Sequence, residues 1–160
     1  MKRRSSYLVP RVQDDQPIFD KIIELLPFSI NRILVVDDEE FCISTMKAIL
    51  KMLDVDVKMV CDFCINGQEA VDQVKKAYSN GIKYRLILTD FSMPVLDGIQ
   101  ATQKIRSFFE SLDIKREDQP RICGVTGHVQ TSFSDKAISA GMDDILSKPL
   151  KSITLKKFIE

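Results

Sequence analysis

The stretch LILTDFSMPVLDG, residues 86–98, decides how this chain is read. Leu86, Ile87 and Leu88 form a continuous apolar run, which suits a strand covered on both faces better than a half-exposed one. Asp90 follows two residues later. A Met-Pro pair then interrupts the backbone, and Asp97-Gly98 reads as a helix entry, with Asp capping and Gly permitting close chain approach. One carboxylate is therefore held at the carboxyl end of a buried strand, either as a cap or as a reagent.

Outward from this stretch the pattern is regular from Asn31 onward. Strand-like runs at 32–36, 57–61, 84–89, 121–125 and 144–147 alternate with helix-like segments, which implies five β/α units. The helices rest on three- and four-residue spacing: Cys42, Met46, Ile49, Leu50 and Leu53; Ala70, Val71, Val74, Ala77 and Tyr78; Ile99, Thr102, Ile105, Phe109 and Leu112. Phe133 and Ala137 begin a fourth, and Ile153, Leu155, Phe158 and Ile159 a short fifth. Strands joined by helices give a parallel sheet with right-handed crossovers and helices on both faces, a doubly wound α/β fold. Residues 31–160 form the domain. Residues 1–30 are divided by Pro10, Pro17 and Pro27 and read as a linker or tail, in which Ile18, Phe19, Ile22, Ile23, Leu25 and Leu26 fit one short amphipathic helix.

Composition narrows the function. The 160 residues suffice for one ordinary domain, and 44% hydrophobic content indicates a folded globule. Twenty-three basic residues balance 23 acidic ones, so no overall positive field draws the chain to nucleic acid or to an anionic membrane. The longest apolar runs, such as Ile33–Val36, are far too short to span a bilayer, and no apolar stretch of signal-peptide length follows the basic start. A cytoplasmic location is expected, with any membrane association belonging to a larger parent protein. Cys42 and Cys123 sit on apolar elements, where a small hydrophobe is the default role. Cys61 and Cys64 make a CxxC, but no second ligand pair accompanies them and the one histidine is the distant His128, so they read as ordinary buried thiols.

In an open parallel sheet, ligands bind beyond the carboxyl ends of the strands, where strand order reverses. At those ends stand Asp37 and Asp38 after the first strand, Asp90 after the third, Thr126 after the fourth and Lys148 after the fifth. Taken singly, Asp caps helices and Lys lies in solvent. Taken together, three carboxylates at one edge repel each other unless a cation or protons compensate. Mg²⁺, which takes one or two carboxylates and keeps several waters, suits the set. Lys148 and the Thr126 hydroxyl then supply donors for an incoming phosphoryl group.

The motifs ILVVDDEE, LILTDFSMPVLDG, GVTGH and GMDDILSKPL, in this order and spacing, resemble the receiver domains of two-component and phosphorelay response regulators, and most resemble those attached to hybrid histidine kinases. The resemblance implies a flavodoxin-like sheet of order 2-1-3-4-5. It implies that Asp90 is the phosphoacceptor, taking a phosphoryl group from a phosphohistidine in a Mg²⁺-dependent reaction. It also implies that Asp38, Asp90 and the Ser92 carbonyl ligate the metal directly, that Asp37 acts through a metal-bound water, that Lys148 pairs with the phosphoryl oxygens, and that Thr126 moves to bind them. The Lys148-Pro149 bond is expected to be cis.

Partners implied by the resemblance are a histidine kinase or histidine phosphotransfer protein as donor, and a downstream protein on the face from about Thr131 to Glu160. The implied role is that of a phosphoacceptor with slow self-dephosphorylation, not a turnover enzyme. Two features depart from the family pattern. Ile145 stands where many receivers carry an aromatic residue that turns inward, and Gly127 replaces a small Ala after Thr126. Ser92 and His128 occupy positions that tune dephosphorylation in the family. Two alternatives follow: a receiver-fold scaffold that responds weakly or not at all to phosphorylation, and a haloacid dehalogenase-like phosphatase. The phosphatase would place an Asp-x-Asp nucleophile after the first strand, where this chain has the adjacent pair Asp37-Asp38.

Overall fold

β1 (Asn31–Val36), β2 (Cys61–Cys64), β3 (Lys83–Asp90), β4 (Arg121–Thr126) and β5 (Asp144–Ser147) pair in parallel in the spatial order β2-β1-β3-β4-β5. The computed structural model describes residues 31–127 and 131–159. The expected helix between Pro17 and Pro27, together with His128 and Glu160, lies outside them. α1 (Glu40–Met52), α2 (Gly67–Ser79), α3 (Gly98–Ser111), α4 (Thr131–Ser139) and α5 (Ser152–Ile159) connect or follow the strands.

Alternation along each strand sends side chains to two separate cores. Leu34, Val36, Ile87 and Ile122 pack with Ala70, Val71 and Val74 of α2, Ala101, Ile105 and Phe109 of α3, and Ala137 of α4. Ile33, Val35, Leu86, Leu88, Cys123 and Val125 pack on the opposite face with Met46 and Leu50 of α1 and Leu155 of α5. Each fully buried Leu or Ile here contributes about 1.5–3 kcal/mol. The continuous apolar runs of β1 and β3 thus reflect burial on both faces, and the sheet is doubly wound as its pattern predicts.

Helix entries are fixed by side chains. Asp97 Oδ1 accepts from Gln100 N at 2.7 Å and Asn66 Oδ1 accepts from Glu69 N at 2.9 Å, which satisfies amide donors that a first helical turn leaves without partners. Gly98 is required by close approach: a Cβ there would collide with the backbone carbonyl oxygen of Asp90.

Two expectations need correction. Of the run 57–61 only Cys61 is strand. Asp56 accepts from the amides of Lys58 and Met59, which caps one helical turn at Val57–Val60, and pairing begins only at Cys61, opposite Ile33. The helix stripes are also incomplete. Leu112, just past the end of α3, and Phe133 and Ile153, in the first turns of α4 and α5, are exposed, while the charged Arg106 is buried in the α3 stripe. Arg106 donates to Gly141 O, Gln119 Oε1, Pro120 O and Asp143 Oδ2 at 2.8–3.1 Å, tying α3 to the segments before β4 and β5. Burial, followed by the nearby Arg116 charge, brings its guanidinium down to about 10.

Candidate functional site

The order β2-β1-β3 places the carboxyl ends of β1 and β3 side by side where the direction of winding reverses, α1 and α3 leaving on opposite faces. β1 ends at Val36, so Asp37 emerges at that point, and β3 ends on Asp90 itself. Both are buried, with 6% and 9% of their surface exposed, which shuts the two carboxylates away from bulk water.

Lys148, the residue after β5, reaches across this crevice. Its Nζ lies 2.8 Å from Asp37 Oδ2 and 2.8 Å from Asp90 Oδ1. The remaining oxygens are also engaged: Asp37 Oδ1 accepts from Glu39 N at 2.9 Å, and Asp90 Oδ2 accepts from Ser92 N at 3.1 Å. Position 148 is itself set by the sheet, since Lys148 N donates to Thr126 O at 2.8 Å and Thr126 pairs with Ser147. The Lys148-Pro149 peptide is cis. Thr126 is buried at the end of β4, while Asp38 and Ser92 stand exposed at the rim.

Electrostatics follow from this packing. Burial raises the Asp90 carboxyl above its ordinary range, and the Asp37 charge adds to the effect, while Lys148 pulls the other way. For Lys148 burial opposes the charged form, but the hydrogen bonds to Asp37 and Asp90 outweigh it and hold the ammonium above its ordinary value. Cys42 on α1 touches the same group at 3.6 Å from Nζ; burial, with Asp37 beside it, raises its thiol. A cavity of about 330 Å³ opens beside the three charges, between Phe41 and Met46 of α1 and Pro149 of the β5–α5 connection.

Among the described residues, no group of three or more His, Cys, Asp or Glu side chains is gathered as a metal cage. The reason is visible in the geometry: Lys148 bridges two carboxylates and Asp38 faces solvent. The donor chemistry nevertheless fits a hard divalent cation. Asp37 and Asp90 are two buried carboxylates compensated by a single ammonium, with a third carboxylate at the rim, and all are oxygen donors.

The CxxC is ordinary core. Cys61 and Cys64 are buried in the separate cores on opposite faces of the sheet, and burial raises their thiols to about 11 and about 12. Sequence reasoning did not single out Phe91, whose ring lies over Gly124. A glycine inside an otherwise apolar strand was the signal, since it marks close approach by a neighbour.

Comparisons with known proteins identify the family. Residues 33–160 match the family described as the response regulator receiver domain. The chain is 30% identical over 156 residues to the osmosensing histidine protein kinase SLN1 of Saccharomyces cerevisiae, covering 97% of this chain and 11% of that protein. It is 36% identical over 133 residues to hybrid signal transduction histidine kinase F of Dictyostelium discoideum, covering 81% and 11%. The chain therefore spans about a tenth of the length of these curated relatives. Among solved structures, it is similar to the receiver domain of the histidine kinase CKI1 from Arabidopsis thaliana complexed with Mg²⁺ and BeF₃⁻, with a TM-score of 0.67 and 27% identity over 81% of this chain and 89% of that one. It is also similar to the co-crystal structure of the Saccharomyces cerevisiae histidine phosphotransfer protein Ypd1 with the receiver domain of Ssk1, with a TM-score of 0.65 and 30% identity, covering 79% of this chain and 83% of that chain.

Proposed function

This chain belongs to the response regulator receiver domains of phosphorelay signalling, and we propose that Asp90 is its phosphoacceptor. The observation that carries the assignment is the placement of Asp90: a buried carboxylate at the carboxyl end of β3, at the reversal of strand order, ion-paired to Lys148. Asp37, beside it, is anchored by Glu39 N and leaves Asp90 as the carboxylate that closes its strand.

The donor is a phosphohistidine on a histidine kinase or histidine phosphotransfer protein. An Asp90 carboxylate oxygen attacks phosphorus in line; the P–O bond forms as the P–N bond breaks, and the released imidazole takes a proton from solvent. Lys148 already touches Asp90 Oδ1, so its ammonium needs only a small displacement to meet the phosphoryl oxygens. Ser92 N holds the other carboxylate oxygen, which fixes the plane of the nucleophile. Thr126 adds a hydroxyl at the neighbouring strand end. Asp38, Asp90 and the Ser92 carbonyl would hold Mg²⁺, with Asp37 acting through water, and the cation supplies neutralisation of the transferred group. Attack of water on the acyl phosphate returns the carboxylate, so the chain stores a signal instead of turning over a substrate.

The kinases among its relatives support a hybrid histidine kinase as the parent. The face from Thr131 to Glu160 is the surface proposed to be read by a downstream protein. Incubation with phosphoramidate and Mg²⁺, followed by intact-mass measurement, tests the assignment. A gain of one phosphoryl mass that is lost in Asp90→Asn and on chelation of the metal is expected. The same gain in Asp90→Asn would refute it.

A further inference from the structure

Phe91, the residue that follows Asp90, turns its ring across the sheet. It is half-buried and packs on the core that also holds Ile122, Ala137 of α4, Met142 and Ile145. The ring covers Gly124 on β4 so closely that a Cβ there would fall on the ring edge and lie 2.7 Å from Met142 Sδ. Gly124 in turn pairs with Thr89 on one side and with Ile145 on the other. The phenyl group therefore reaches from the residue beside Asp90 across to Gly124 of β4, the register partner of Ile145, and rests in a trough that exists only because position 124 has no side chain.

Thr126 lies two residues beyond Gly124, so it projects from the same face of β4. The ring is thus flanked by the two strand ends that carry Asp90 and Thr126, and by Met142, which precedes β5. Ile145, opposite Gly124 in the register, is aliphatic and packs against the same core as Phe91. We infer that Phe91 is the relay that couples Asp90 to the α4–β5 edge, supplying from the third strand the aromatic contact that position 145 does not. This rests on the reading of Asp90 as the phosphoacceptor. Phosphorylation replaces one carboxylate charge with a larger anion one residue from the ring; because cores are packed and not continuously deformable, the ring and its neighbours Met142 and Ile145 shift together.

Two variants of the full chain test this, with Ile145→Val as a control. Phe91→Leu removes the ring but keeps an apolar side chain, and Gly124→Ala fills the trough and displaces the ring. Each is treated with phosphoramidate and Mg²⁺, phosphoryl mass is measured, and amide hydrogen exchange is followed over residues 131–147. The wild type is expected to change exchange in this segment on phosphorylation. Phe91→Leu and Gly124→Ala are expected to gain the phosphoryl mass at rates within about threefold of wild type, while losing at least half of the exchange response. Ile145→Val is expected to keep the response. A full response in phosphorylated Phe91→Leu, or none in phosphorylated wild type, overturns the relay alone. Failure of the wild type to gain mass overturns the phosphoacceptor reading, and the relay with it.

Discussion

Replacement of Lys148 by Met keeps most of the unbranched apolar stem and deletes the charge that holds the site together. Nζ lies 2.8 Å from each of two carboxylates whose side chains are only 9% and 12% exposed, so its loss leaves two buried like charges facing each other. Removing one member of a fully buried ion pair costs about 3–5 kcal/mol. The Lys148 side chain is itself 27% exposed, so water enters and screens part of the loss, leaving about 2–3 kcal/mol at neutral pH. The pH dependence carries the sign of the effect. Burial already raises the Asp90 carboxyl, and without the ammonium it rises further. A carboxyl raised in the folded state destabilises when ionised, and that penalty disappears as pH falls below its folded value. The cost of Lys148→Met should therefore be larger at neutral pH than in acid. Millimolar Mg²⁺, binding the folded state preferentially, should recover part of it, and more in the variant than in wild type because the cation no longer competes with the ammonium. Urea unfolding in chelator at pH 5 and 7, and in Mg²⁺ at pH 7, measures all three. A loss below about 0.5 kcal/mol, or an equal loss at both pH values, would refute the reasoning.

Arg106→Met should cost about 3 kcal/mol in urea unfolding, because it strips a buried guanidinium from four acceptors; Arg106→Lys should recover little, since a point charge cannot reach all four. Val95, in the loop after Asp90, is β-branched with φ of 69°, so Val95→Asn should stabilise by about 0.5–1 kcal/mol, read as a rise in Tm. Burial opposes ionisation of Asp62, but hydrogen bonds from Arg32 at 2.7 Å and Tyr84 at 2.6 Å hold its carboxyl below the ordinary value. Its contribution is thus present above the unfolded carboxyl pKa of about 3.9 and lost as pH falls through the lower folded value. Asp62→Asn should cost about 1 kcal/mol at pH 7 and progressively less in acid, checked by denaturation across pH.

The sheet was legible because burial on both faces forces unbroken apolar runs, and Ile33–Val36 and Leu86–Leu88 carry that mark. Strand-end polarity located the edge where Asp37, Asp90, Thr126 and Lys148 stand, because a crevice at the strand ends accepts charges that the sheet interior cannot. β2 starts four residues later than its pattern suggests: Val57 and Val60 are as apolar as strand residues, and only the Asp56 cap and the pairing partners of Cys61 separate turn from strand. Arg106 was invisible, since a charged residue on a helix reads as solvated until its four acceptors, brought from distant segments, are seen. The bridging position of Lys148 was likewise beyond the sequence. Which carboxylates an ammonium compensates depends on the approach of three strand ends, and no spacing along the chain encodes it.

The most direct test of Asp90 as phosphoacceptor traps the acyl phosphate where it forms. The protein is incubated with phosphoramidate and Mg²⁺ and reduced with borohydride, which converts an aspartyl phosphate to homoserine, and its peptides are then sequenced by mass spectrometry. Homoserine at position 90, dependent on both phosphodonor and metal, is the predicted result. Homoserine at position 37 or 38, or none in folded protein that has gained phosphoryl mass, would contradict the account.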